Sequence, residues 1–412
     1  MRSPRDSQTS FSSSNHHAGM GGTSCSRSTV SSIMGAETQP IAFGGATGRL
    51  TKEQYAKLAH EDGADGEVDS SVTSDLLIAA SCALMCVFVY GWNNGNVNSP
   101  SANIQQDLGL KLNANDVWDK DTWIWSMIVC LFSIGALPGA LIINNVSKSS
   151  GRKKAMLLTC WIHIAGGLVE ASSKWVPQQN RIIGAVGVLM VGRAISGFAS
   201  GGVTAVVPVY LGEIAPVALR GTFGTAFQLI CVASMTIVQI IGLPGVFGST
   251  DGWPWLFAFT ALPSMLTILL SGLMPESPRW LLRKAKDAKP AQKEQFELEA
   301  RQILLKLRGV ALLGSVEPDS VLGLVDAPRT HVDYELDDIK DALASEPEPL
   351  TLSQVFSDKD TKFPITLALV MMAGQQFSGI NNAFNYSTTF LKNNGLSTDT
   401  CNMVSSPPIV LL

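Results

Sequence analysis

The sequence predicts an all-α membrane protein, and three observations carry that prediction. Hydrophobic residues make up 46% of the 412-residue chain and charged residues only 16%, well below the roughly 25% charged that is usual in soluble domains. The apolar residues gather into about seven segments near the ~20 residues that a ~30 Å hydrocarbon layer demands. The third observation is the run Gly192–Gly221, which sets a long apolar helix between Arg193, Glu213 and Arg220. A charge at the bilayer midplane costs roughly 2.5 to 3.5 kcal/mol, so Arg193 must face protein or water and the other two must sit at the membrane edge. Gly197, Gly201 and Gly202 in the same run permit close approach by a neighbouring helix.

Residues 1–72 are rich in Ser and Gly with little apolar clustering, and cannot bury enough surface to offset chain entropy. They read as a disordered cytoplasmic tail. Arg2, Arg5 and Arg27 against the single Asp6 also suit an organellar transit peptide, the alternative for this segment. The predicted spans are Leu76 to Trp92, Ile124 to Ile143, Ala155 to Ser172, Ile183 to Tyr210, Thr222 to Leu243, Trp255 to Leu273 and Phe363 to Tyr386. They organise the chain into a six-helix region over 73–275, a polar linker over 276–362, a seventh helix over 363–392 and a final stretch over 393–412. Trp118, Trp123, Trp125, Trp175, Trp253 and Trp255 fall at helix ends on one side, as an interfacial aromatic belt requires.

Basic residues set the orientation. Lys148, Arg152, Lys153 and Lys154 follow the second span, Arg220 the fourth, and Arg279, Arg283, Lys284 and Lys286 the sixth, so the N-terminus is expected in the cytoplasm and the default location is the plasma membrane. That orientation argues against a seven-helix receptor of the G-protein-coupled kind. The linker shows helical periodicity at Phe296, Ile303, Leu304 and Leu307, predicting short amphipathic helices, with Gly309–His331 read as a loop insertion. Cys82, Cys86, Cys130, Cys160 and Cys231 lie inside apolar runs as small hydrophobes. No nucleophile triad, metal spacing or phosphate loop is present, so neither an enzyme nor a cofactor is expected, and nothing points to nucleic acid. The sequons at Asn145 and Asn385 fall where glycosylation is not expected.

The motifs GRAISG, VPVYLGEIAPVALRGTFG, PESPRWLL and GQQFSGINNAFNYS occur in the order seen in sugar porters of the major facilitator superfamily, and the chain closely resembles the facilitative glucose transporters. The resemblance runs from about Asp75 to Gly395. It implies the major facilitator fold, in which two six-helix halves enclose a substrate site. Measured against that plan the chain supplies the first half, the linker and the seventh helix, and is expected to be a truncated carrier.

Along the seventh span Gln375, Ser378, Gly379, Asn382, Asn385 and Tyr386 fall within an arc of about 120°, flanked by Gln376 and Asn381. Side-chain amides both donate and accept, which suits a small neutral sugar better than an ion. By resemblance Gln228 of the fifth helix and Gln375, Gln376 and Asn381 correspond to sugar-hydroxyl ligands, with Asn382 joining them from the stripe; helix-to-helix glue is the bland alternative. Asn382 and Asn385 depart from the glucose transporters' usual residues, which leaves the sugar open. Gln239, about 16 Å beyond Gln228 along the helix, reads as a packing or pathway residue.

In the first helix, YGWNNGNVNSP holds no ionisable residue except Tyr90. Proton-coupled sugar porters carry an Asp at the position of Asn93, beside an Arg that Arg193 matches. Asn cannot change charge near neutral pH, so downhill transport is expected. The resemblance further implies a gate in which Arg152, Arg193, Glu213, Arg220, Glu276 and Arg279 cluster at inner helix ends, with Lys148 and Ser149 replacing the usual gate residues in NNVSKSSGRKK. Pro275 and Pro278 are expected to stop the sixth helix, and Trp280 to sit in the interface. His163 and Glu170 read as polar contacts within the bundle, with a proton relay as the lesser alternative. Two rival readings remain: a proton- or sodium-coupled symporter of a hexose or inositol, and a non-transporting half-carrier that senses sugar or pairs with another copy or a full-length relative.

Overall fold

A computed structural model describes residues 72–111, 119–177, 181–243, 245–310, 331–346, 357–379 and Gly395. Twelve α-helices and short 3-10 and π turns make up the regular structure among these residues. The helices are α1 (Ser74–Gly95), α2 (Ser101–Asp107), α3 (Lys120–Ser150), α4 (Arg152–Ser172), α5 (Val186–Ile214), α6 (Arg220–Ile241), α7 (Trp253–Ala258), α8 (Ala261–Leu269), α9 (Pro278–Lys286), α10 (Pro290–Arg308), α11 (His331–Ala344) and α12 (Lys359–Phe377). Six helical segments among the described residues are long and apolar enough to cross a membrane. They correspond to the first six predicted spans; the seventh is described only as far as α12 reaches, and its remainder lies outside the described residues.

Local chemistry explains where the helices begin and break. Thr73 caps α1 by accepting a hydrogen bond from the Leu76 amide (3.2 Å), and Asp358 caps α12 through the Thr361 amide (3.2 Å). The sixth predicted span is two helices rather than one. Pro263 has no N–H to offer the carbonyl of Phe259, which accepts instead from the amide of Leu262 (2.9 Å), so a turn separates α7 from α8. Pro278 proves to begin a helix: Ser277 caps α9 by accepting from the Trp280 amide (3.2 Å), and Pro278 occupies the first turn, where a missing N–H costs nothing.

Helices α3 and α5 form the tightest pair, and glycine makes it so. The two carry the same spacing, Gly135 with Gly139 and Gly197 with Gly201. A Cβ at Gly135 or Gly139 would strike the carbonyl of Ala194 or Phe198, and one at Gly197 or Gly201 the carbonyl of Phe132 or Ala136. The backbones are therefore in direct contact, as small residues four apart permit in a membrane. α1 packs on α6 and α5, while α4 packs on α5, α7 and α8.

Three larger apolar clusters organise the interior among the described residues. One joins α1, α4, α5 and α6 around Leu76, Met156, Tyr210 and Ile214. A second, at the other end of the bundle, centres on Trp125, Leu189, Trp253 and Phe257. A third holds α9, α10 and α11 together through Trp280, Leu304 and Leu336, with Arg301 paired to Asp333 (2.6 Å) and Arg308 to Glu335 (2.6 Å). The Arg301 guanidinium is raised above its ordinary pKa by the hydrogen bond to Asp333.

The aromatic belt divides. Trp123, Trp175 and Trp255 are exposed, as the belt requires, but Trp125 and Trp253 are buried, and the Trp253 indole donates to Asp107 (3.1 Å). Trp118 lies outside the described residues. Trp280 is likewise buried instead of interfacial: its indole donates to the carbonyl of Lys148 (2.9 Å) and satisfies an orphan acceptor at the end of α3.

Candidate functional site

The end of the bundle that carries the basic residues holds a closed ionic cluster. Arg152, at the start of α4, meets Glu213, near the end of α5, in a two-pronged pair (Nε to Oε2 2.8 Å, Nη2 to Oε1 2.9 Å). Its Nη1 donates to the carbonyl of Ser147 (3.0 Å). Such bidentate geometry is the strong form of a charge-assisted hydrogen bond. Glu276 completes the cluster from the start of the linker. One carboxylate oxygen accepts from the amides of Arg152 (2.8 Å), Lys153 (3.1 Å) and Ser277 (2.9 Å). That places an anion on the N-terminus of α4, where the amides are unpaired and the helix dipole is positive. Gly151 makes room for it: at φ 104° its missing Cβ would meet the Glu276 carboxylate, so both conformation and space require glycine.

The other expected gate residues are not in this cluster. Arg279 pairs with Glu346 (2.9 Å), which Arg283 also holds (2.8 Å), tying α9 to the chain just after α11. Glu346 was not singled out from the sequence, and a partner 67 residues away leaves no local signal. Arg220 is exposed and has no ion pair among the described residues. Arg193 departs furthest from the expectation of one cluster at the inner helix ends. It lies twenty positions before Glu213 on the same helix, about 30 Å away at 1.5 Å per residue.

Around Arg193 the structure builds a different site. The side chain is buried (1% exposed) and Nη1 donates to the carbonyl of Asn93 (2.9 Å) and to Oδ1 of Asn96 (3.2 Å). The guanidinium lies over the Phe132 ring, 4.5 Å from its centre, a cation–π contact. Thr260 donates to Oδ1 of Asn93 (3.2 Å) and Asn93 donates to the carbonyl of Val89 (2.9 Å). Among the described residues, every hydrogen-bonding partner of Arg193 is thus uncharged. Asn96, Phe132 and Thr260 were missed in the sequence, since only their convergence on Arg193 marks them.

His163 makes the interhelical contact expected of it, Nε2 lying 3.0 Å from Ser200 Oγ. Glu170 does not. It is fully buried and neither carboxylate oxygen has a hydrogen-bond partner among the described residues; the same holds for Arg193 Nε, Ser196 Oγ and the amide of Gln239.

Of the amide stripe, Gln228 is exposed on α6 and Gln375 and Gln376 are exposed on α12. Among the described residues α12 has no extensive interface with another helix, so the geometry does not bring the two sets together. Asn381, Asn382, Asn385 and Tyr386 lie outside the described residues, as does most of the expected loop insertion at Gly309–His331. Cys82, Cys86, Cys160 and Cys231 are buried while Cys130 is exposed, and no group of three metal-ligating side chains occurs among the described residues.

Residues 79–409 match the family described as "Sugar (and other) transporter". Facilitated glucose transporter member 3 of solute carrier family 2 from Ovis aries is 32% identical over 333 residues, covering 79% of this chain and 60% of that protein. Member 4 from Homo sapiens is 30% identical over 356 residues, covering 83% and 62%. The chain thus spans about 60% of the length of these relatives. Among solved structures, the partially occluded inward open conformation of the xylose transporter XylE from E. coli aligns with a TM-score of 0.62 at 19% identity, over 82% of this chain and 68% of that one. The proton:xylose symporter XylE bound to 6-bromo-6-deoxy-D-glucose aligns with a TM-score of 0.60 at 19% identity, over 83% and 69%. At that identity the likeness is one of fold.

Proposed function

The chain belongs to the sugar transporter family and has the fold of the major facilitator superfamily, and from that premise we propose that it serves facilitated transport of a hexose such as glucose by alternating access. Gln228, Gln375, Gln376, Asn381 and Asn382 are its sugar ligands in this reading, because amides match hydroxyls in both donor and acceptor roles. The N-terminus is cytoplasmic and the membrane is the plasma membrane. Arg152, Glu213 and Glu276 form the inner latch, with Arg220 and Arg279 as its exchange partners and Arg193 deeper in the bundle.

One observation carries the downhill part of the reading. The α1 groups that hold Arg193 are the carbonyl of Asn93 and the amide of Asn96, neither of which takes up or releases a proton near neutral pH. A pair of this kind holds the guanidinium without linking it to a proton on α1.

The test is uptake of labelled glucose in cells that lack hexose carriers and express this protein. The expected result is saturable uptake that survives a protonophore, with Gln228→Ala lowering it about tenfold for a lost ligand hydrogen bond. Asn93→Asp should make the uptake protonophore-sensitive. Uptake by the parent protein that collapses with the protonophore would establish a symporter, and no uptake of any hexose would sink the carrier reading.

A further inference from the structure

Glu170 is the buried group for which the transport reading has no use. It stands in the last turn of α4 with both carboxylate oxygens unpartnered, and two further orphaned polar atoms, Arg193 Nε and Ser196 Oγ, belong to α5 beside it. The helices touch there: a Cβ on Gly192 would press on the Glu170 side chain and backbone. An ionised carboxylate without hydrogen bonds is far costlier to bury than a neutral acid.

Few other charges surround it. On α4 itself His163 is bound to Ser200. α7 and α8 contribute no ionisable residue, α1 contributes Tyr90 and, at the far end, Asp75, and α3 has Lys120, Asp121 and Lys148 only near its ends. Lys174, just past α4, is paired with Asp107 (2.9 Å) and Asp251 (3.3 Å). The charged residue beside that contact is Arg193, next to Gly192 on α5, yet Arg193 spends Nη1 on α1.

We infer that Glu170 is a proton-binding site that sets which helix Arg193 holds. Protonated, it leaves the guanidinium on Asn93 and Asn96. Deprotonated, it accepts from Arg193 Nε and draws the guanidinium toward α4, loosening its grip on α1. The proton passes to water at the end of the bundle opposite the Arg152 cluster, which lies within a turn of Glu170 along α4. The site is a property of the packed helices and stands without the carrier reading; only its effect on sugar flux rests on that reading.

Difference infrared spectroscopy of the full chain in lipid vesicles, titrated with pH, tests the proposal. A carboxylic C=O band that titrates as one proton and is missing from Glu170→Gln is expected. Glu170→Asp, which keeps the acid and shortens its reach, should shift the band, and it covers the case in which the amide variant fails to fold. A spectrum with no titrating band that depends on residue 170 overturns the proposal. Counterflow of labelled hexose in the same vesicles separates the two claims. A titrating band without hexose exchange removes the carrier reading and leaves the proton site standing, whereas exchange whose pH profile is unmoved by Glu170→Gln overturns the switch.

Discussion

Arg152 and Arg193 are both buried, at 5% and 1% exposure, one at the helix ends and the other inside the bundle, with opposite solutions to the same problem. Arg152 has an anion: Nε and Nη2 meet the Glu213 carboxylate and Nη1 a backbone carbonyl. Among the described residues, Arg193 bonds only neutral oxygens from one nitrogen, rests on the Phe132 ring and leaves Nε unpartnered. A charge-balanced pair at the water edge can open and close as a unit. A guanidinium held by dipoles and a ring has an unfilled claim on any anion that forms nearby, and Glu170 is placed to answer it.

The largest expected effect follows from breaking the balanced site. Glu213→Gln removes the carboxylate that the buried Arg152 guanidinium meets and should cost about 3 to 5 kcal/mol, read as a fall in the melting temperature of the purified protein. The double change Arg152→Met with Glu213→Leu should recover most of it. If Glu213→Gln melts like the parent, the two arginines do not differ in the way described. Next comes Asn96→Ala, which removes one of two acceptors from Arg193 and should cost about 1 to 2 kcal/mol. Glu170→Gln should stay within about 1 kcal/mol of the parent, because no hydrogen bond to either oxygen is lost. A collapse as deep as that of Glu213→Gln would mean that Glu170 serves Arg193 as a fixed counter-ion.

The smallest effect belongs to the linker. Burial lifts the Glu346 carboxyl, but the hydrogen bonds and charges of Arg279 and Arg283 outweigh it and hold its pKa below the ordinary carboxylate value. The stability it contributes is therefore present above the unfolded carboxylate value and is lost as pH falls through the lower folded value. Both partners are more than a third exposed, so Glu346→Gln should cost at most about 1 kcal/mol. Hydrogen exchange in α9 should show the variant less protected than the parent near neutral pH, with the difference closing in acid.

Apolar length and composition made the six spans legible, because a bilayer imposes its thickness on any helix that crosses it. The same logic could not tell lipid from a neighbouring helix. Trp125, Trp253 and Trp280 carry the signature of interfacial residues yet are buried in protein contacts. The Arg152, Glu213 and Glu276 cluster was legible as charges at neighbouring helix ends, whereas Arg193 was grouped with them by role even though a separation of twenty positions along one helix places it elsewhere. Glu170 read as a bundle contact because polar residues in membranes usually find partners; that it finds none depends on where α5 lies, which no local pattern encodes. The capping of α9 by Ser277 and Pro278, by contrast, is written wholly in adjacent residues.

The backbone contact between α3 and α5 has a genetic corollary. Every missense change at the codons for Gly135, Gly139, Gly197 or Gly201 adds at least a Cβ, and at each of these positions that atom would collide with a main-chain carbonyl of the facing helix. Alanine, elsewhere the mildest of replacements, is already too large, so these four codons should tolerate silent variation alone.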